Sequence, residues 1–305
     1  IGKVLNEKTG AKVVFVQCAS GATGMHEWTK HPENYKCSCS NKGGGEMYSQ
    51  AVKCFTKTYR ELSEKYNIIK TGYIWNQGEH EEYHNNPEKT DIHDAQGYYD
   101  AYISMHNDIM KDCELDFGGI VMPRSFFMYN KNYKADEAEK NSEYIKTFDN
   151  EQHSRCSTIA RDALYRAAND VPNLFVMSNA AETIKYGEDD PNNRIHYAQS
   201  AYNRMGSRAG ENIARYIDKD KASDFTGITV YNSQGEIIAR FDANGKLTEG
   251  SKTVTKTDDN ISLRIAVEPL GTYYEYELDD INTEFVDKFG KIDWAALEKE
   301  GKTSF

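Results

Sequence analysis

Short continuous apolar runs alternate along the first two thirds of the chain with longer stretches in which apolar residues recur every three to four positions. Val13-Val14-Phe15-Val16, Ile68 to Trp75, Gly119-Ile120-Val121-Met122 and Leu174-Phe175-Val176-Met177 are the runs. Such runs predict strands buried on both faces of a sheet. Met47, Ala51, Cys54, Thr58 and Leu62 fall on one face of a predicted helix, as do Tyr98, Tyr102, Met105 and Ile109. Ser157 to Ala168 reads as helical, and Ala201, Met205, Ala209, Ile213 and Tyr216 line another helix. Ile1 to Gly10 reads as the end of a helix closed by Gly10. Strand and helix in alternation predict a parallel sheet covered on both faces, with ligands off the carboxyl ends of its strands.

From about Lys221 the pattern changes. Ile228 to Tyr231 and Ile237 to Phe241 flank the turn Asn232-Ser233-Gln234-Gly235, and Asp242-Ala243-Asn244-Gly245 supplies a second turn. Ile261 to Val267 and Thr272 to Leu278 are further strand candidates, and a short helix is expected near Trp294. The expected organisation is a three-layer α/β/α domain over residues 1–220 and a small β-rich appendage over 221–305.

Composition narrows the function classes. With 37 basic and 48 acidic residues the formal charge is −11, which argues against a nucleic-acid or anionic-membrane partner. No run of roughly 18 apolar residues predicts a membrane span. The 21 Tyr and 12 Phe add bulk to a chain only 38% hydrophobic and suit a carbohydrate-facing surface, though a biased composition explains them equally well. Six scattered cysteines are too few for a disulfide framework, and Cys37-Ser38-Cys39 near His31 matches no standard zinc spacing.

Candidate chemistry concentrates at two predicted strand ends. Ile74-Trp75-Asn76-Gln77-Gly78-Glu79 offers an amide and a carboxylate, and Asn193-Arg194-Ile195-His196-Tyr197 offers an imidazole. These are most of what ester cleavage needs. Ser20-Gly21-Ala22-Thr23-Gly24 is a third loop at a predicted strand end, followed by Met25-His26-Glu27-Trp28.

Taken in order, the Ser20–Trp28 loop, the Trp75–Glu79 block and His196 with the later Gly206-Ser207-Arg208 helix resemble the SGNH hydrolase superfamily. The nearest likeness is its branch of sialic-acid-specific acetylesterases and carbohydrate acetyl esterases. It spans about 220 residues and leaves out the β-rich appendage. The resemblance implies a flavodoxin-like three-layer fold and an acetylated carbohydrate substrate, with no metal or organic cofactor. It also implies a location outside the cell, in the periplasm or at the surface. His196 would be the general base, and the Gly21 N–H with the Gln77 side chain would face the developing oxyanion.

Two positions depart from that pattern. The family carries an Asp three residues before its His, where this chain has Asn193. Glu79 is then the first candidate to orient His196, with Asp190 or Asp189 next. The family's nucleophilic serine lies in a Gly-x-Ser block expected ahead of Ile1, and Ser20 belongs to the later block. The chain is therefore expected to be a fragment, a processed form or a homologue lacking its nucleophile.

Rival readings remain. A catalytically incomplete esterase fold would bind glycans or serve in surface or virion assembly. His80-Glu81-Glu82-Tyr83-His84 matches the HExxH zinc-peptidase pattern. Asn85-Asn86-Pro87 would break such a helix, and a polar loop rim is the preferred reading of that stretch. The oligomeric state is not encoded in any of these patterns.

Overall fold

The computed structural model describes residues 1–38, 43–83, 86–123, 126–127, 156–157, 159–183, 197–217, 226–231, 237–251, 253, 264–268 and 293–300. In chain order the helices are α1 (Gly2–Thr9), α2 (Met25–Trp28), α3 (Glu46–Ser63), α4 (Glu79–Tyr83), α5 (Ala95–Asp112), α6 (Ile159–Asp170), α7 (Gln199–Ile217) and α8 (Trp294–Lys299). The strands are β1 (Gly72–Trp75), β2 (Phe117–Val121), β3 (Phe126–Phe127), β4 (Cys156–Ser157), β5 (Leu174–Ser178), β6 (Gly227–Tyr231), β7 (Ile237–Asp242), β8 (Leu247–Gly250) and β9 (Arg264–Glu268). Two compact units emerge. One comprises Lys12–Asn130 and Lys140–Phe175; the other comprises Ile1–Ala11, Lys131–Glu139 and Val176–Phe305.

The chain is a mixed α/β protein built on a parallel three-stranded sheet in the order β1-β2-β5. β2 and β5 are buried along their whole length, as their unbroken apolar runs predict. Gly72 pairs with Phe117 and Trp75 with Ile120, so β1 and β2 end together at the edge that carries the candidate site. α5 is N-capped by Asp94, whose Oδ1 accepts from Gly97 N at 2.8 Å. It buries Tyr98, Ala101, Tyr102, Met105 and His106, one face at helical spacing.

One predicted strand is absent. Val13–Val16 takes no part in the sheet, and Val14 and Phe15 are 57% and 54% exposed. Lys12, just before the segment, places its Nζ 5.5 Å from the ring centroid of Tyr66, which follows the end of α3. A four-residue apolar run encodes hydrophobicity but not which backbone it will pair with.

In the second unit, Gly10 closes α1 in the left-handed conformation at φ 73°. α1 packs on α7, and a side chain at Gly210 would meet Ile1 O at 2.8 Å and Val4 Cβ at 3.0 Å. Asn212 Nδ2 of α7 donates to Met177 O at 2.8 Å. The expected hairpin is β6–β7, antiparallel, and the sheet order is β8-β7-β6-β9. Asp242 Oδ1 accepts from Asn244 N and Lys246 N, both at 2.9 Å, and so makes the predicted second turn. Thr272–Leu278 lies outside the described residues.

Candidate active site

β1 ends at Trp75, and the chain then turns through Asn76-Gln77-Gly78 into α4. Asn76 Nδ2 donates to Val121 O at 2.9 Å, tying this loop to the end of β2. The Gln77 side chain points into the Ser20–Gly24 loop. Its Nε2 donates to Thr23 O at 3.2 Å and to Glu81 Oε2 at 2.6 Å, while its Oε1 accepts from Tyr98 OH at 2.8 Å. Both N–H groups of the amide are thus committed within the protein.

The Ser20–Gly24 loop is fixed from its own side. Thr23 Oγ1 donates to Ser20 O at 2.8 Å and accepts from Trp28 Nε1 at 3.0 Å. Gly24 N donates to Glu27 Oε2 at 2.7 Å, the backward reach of a capping carboxylate. Met25 N donates to Glu81 Oε1. Trp28 and Trp75 meet edge to face with centroids 5.6 Å apart.

Glu81 is the centre of this arrangement and is only 4% exposed; Glu27 is 0% exposed. The expectation of a polar loop rim is therefore corrected at Glu81, which lies buried in the helix α4. α4 buries Glu81 because a backbone N–H and an amide satisfy its charge, which makes burial tolerable. His84 lies outside the described residues, and among the described residues no cluster of His, Cys, Asp or Glu is arranged to hold a metal. His80 Nδ1 sits 3.7 Å from Glu81 Oε1. Burial lowers the His80 pKa, but the Glu81 and Glu27 carboxylates outweigh it and the net direction is upward.

A cavity of about 10 Å³ lies among Gly24, His26, Glu27, Cys37, His80 and Glu81. It has room for about one water molecule and none for a sugar. On the solvent side of this knot Gly21 is exposed and Gln77 and Glu79 are half-buried.

Gly21 has no neighbour within 4 Å of the position a Cβ would take, so space does not demand glycine there. Gly24 is the constrained one. A Cβ would lie 2.5 Å from His80 Nδ1 and 2.6 Å from Glu81 Oε1. Gly24→Ala is expected to cost about 2 kcal/mol, because the side chains it strikes are pinned. Urea denaturation checks this, and an unchanged midpoint would show that the loop opens freely.

His196, Asn193, Asp189 and Asp190 lie outside the described residues; description resumes at Tyr197, whose ring packs edge to face on Tyr202 at 5.5 Å. The Gly-x-Arg helix is α7, where Arg208 Nη1 pairs with Glu211 Oε2 at 2.9 Å. No family model, curated protein or solved structure matches this chain.

Sequence reasoning met Gly24, Glu27 and Glu81 only as members of longer motifs and did not choose them as site residues. It passed over Arg161 and Asp162, buried in the first turn of α6, a helix that packs on α4. Tyr98, Tyr102 and His106, at i, i+4, i+8, carry a further polar network. Trp75 Nε1 donates to Tyr98 OH at 3.1 Å, Tyr73 OH lies 2.9 Å from Tyr102 OH, and Tyr73 OH lies 2.7 Å from His106 Nδ1. Polar-tipped residues on the inner face of a helix were the available signal.

Proposed function

We propose that this chain belongs to a serine-dependent carbohydrate O-acetylesterase acting on acetylated sialic acid or an acetylated polysaccharide. The observation that carries the reading is the Gln77 amide joined to Thr23 O across 54 residues of sequence. It brings the Trp75–Glu79 and Ser20–Trp28 blocks together at the carboxyl end of β1, which is where the resemblance requires them to meet.

In this reading a serine from the block expected ahead of Ile1 attacks the acetyl carbonyl. His196 takes the serine proton and returns it to the departing sugar hydroxyl, and water then releases acetate from the acetyl-enzyme. Glu79, half-buried at the first turn of α4, is the proposed partner of His196. Gly21 N–H faces the oxyanion, joined by Gln77 only if substrate draws its amide away from Thr23 O. A glycan substrate suits a location outside the cell.

The test is acetate release from acetylated sialic acid and acetylated xylan by the protein with its native N-terminus. His196→Ala is expected to lower turnover by about 100-fold or more. A second reading, a glycan-binding protein on an inactive esterase fold, is favoured by the internal commitment of both Gln77 donors. Glycan binding with no acetate release from the native protein would establish that reading and overturn the first.

A further inference from the structure

The Gln77 amide is held from two sides that differ in kind. On one side stand acceptors, Thr23 O at 3.2 Å and the Glu81 carboxylate at 2.6 Å. On the other stands the Tyr98 hydroxyl, 2.8 Å from Oε1. An amide carries its donors at one end and its acceptor at the other, so these neighbours set a single orientation, with Nε2 toward Thr23 and Glu81 and Oε1 toward Tyr98. Trp75 reinforces it. An indole N–H can only donate, and Trp75 Nε1 donates to Tyr98 OH at 3.1 Å. The phenol oxygen takes that hydrogen and turns its own toward Gln77, where Oε1 at 2.8 Å is nearer than the main-chain oxygen at 3.2 Å. Donation therefore runs from Trp75 to Tyr98 to Gln77, and from Gln77 to Glu81 and Thr23. The relay is anchored in the core. Tyr98 is 0% exposed and Trp75 6%. Tyr98 lies in the first turn of α5, where its N–H donates to Asp94 O at 3.0 Å, and its ring stacks on Tyr102 with centroids 6.4 Å apart. A Cβ at the preceding Gly97 would meet Asp91 O at 2.2 Å, so the backbone there is closely packed.

We propose that Tyr98 is a positioning residue that fixes the polarity of the Gln77 amide, so that only its N–H end can turn toward an oxyanion. The inference rests on the esterase reading and adds a residue to it. Were the amide free to rotate, Oε1 could face the reacting carbonyl, and an acceptor there opposes the negative charge that builds on it. With Oε1 tethered to Tyr98, the amide pivots about that end. One N–H leaves Thr23 O for the substrate oxygen, while the other stays on Glu81. Tyr98 touches neither substrate nor reacting atoms and acts through Gln77 alone.

Two readouts test this. The first is NMR of the labelled protein without substrate. Nuclear Overhauser contacts are expected from the Gln77 side-chain N–H hydrogens to the Met25 N–H, since both groups donate to Glu81. In Tyr98→Phe these contacts weaken and the Trp75 indole N–H moves upfield. Contacts from the wild-type Gln77 N–H hydrogens to the Tyr98 ring in their place overturn the proposal. The second is acetate release by the protein with its native N-terminus. Tyr98→Phe is expected to lower kcat about tenfold and leave KM within about twofold. In a Gln77→Ala background the same change is expected to have no further effect on kcat, which a loss of folding alone would not reproduce. Additive losses overturn the proposal, as does wild-type kcat in Tyr98→Phe. No acetate from the native protein overturns the esterase reading and the oxyanion role with it, and the Overhauser contacts then decide by themselves whether Tyr98 orients the amide.

Discussion

Replacing Glu81 with alanine is expected to cost about 4 kcal/mol of folding stability, because it leaves partners of a buried charge without their acceptor. Met25 N and one Gln77 N–H both donate to this carboxylate, and the surroundings are too tight to admit more than about one water in their place. Glu81→Gln separates charge from shape. An amide of the same outline has one acceptor oxygen, so either Met25 N or Gln77 Nε2 would face its NH₂ group. That variant is expected to lose about 2 kcal/mol. A second readout follows from His80, whose pKa burial lowers and whose net upward direction depends chiefly on Glu81. In Glu81→Gln the His80 titration followed by NMR should move below its wild-type position. Glu81→Gln with wild-type stability and an unmoved His80 would show that the carboxylate is not what joins the two loops.

The elements whose identity depends on their own sequence were legible. α5 and α7 follow from apolar spacing, β2 and β5 from continuous apolar runs, and the Asp242–Gly245 turn from side chains that bond their own backbone. Features that depend on a distant partner were not. Val13–Val16 has the composition of a buried strand, but only packing decides whether a sheet edge receives it. Glu81 sits in a run of His, Glu and Tyr that reads as a solvated rim, and the donor that makes its burial tolerable lies 56 residues earlier. Gly21 and Gly24 share one loop and one residue type. Only the positions of His80 and Glu81 reveal which of them has no room for a side chain. The Trp75–Glu79 block was an informative stretch of sequence in another sense, because Gln77, expected to face an oxyanion, donates instead to Thr23 O and Glu81 Oε2 and so joins two loops.

Acidification is expected to weaken the protein through His106, a residue only 3% exposed. Burial lowers its pKa from 6.5 to about 4. Tyr73 OH lies 2.9 Å from Tyr102 OH and 2.7 Å from Nδ1; where Nδ1 is the acceptor of the neutral ring, a proton arriving on it would meet the Tyr73 hydroxyl hydrogen. Above pH 6.5 the ring is neutral in both the folded and the unfolded chain, and its contribution is fully present. Between pH 6.5 and 4 the unfolded chain binds the proton and the folded one does not, so stability falls as the pH falls. The loss reaches about 2 kcal/mol at pH 5 and about 3 kcal/mol at pH 4. His106→Gln keeps an acceptor for Tyr73 and removes the titration. Urea unfolding at pH 7.5 and pH 5 should show the wild type losing about 2 kcal/mol more than the variant. Equal losses in the two proteins would mean that the ring takes up its proton in place, with Tyr73 turning its hydroxyl to accept.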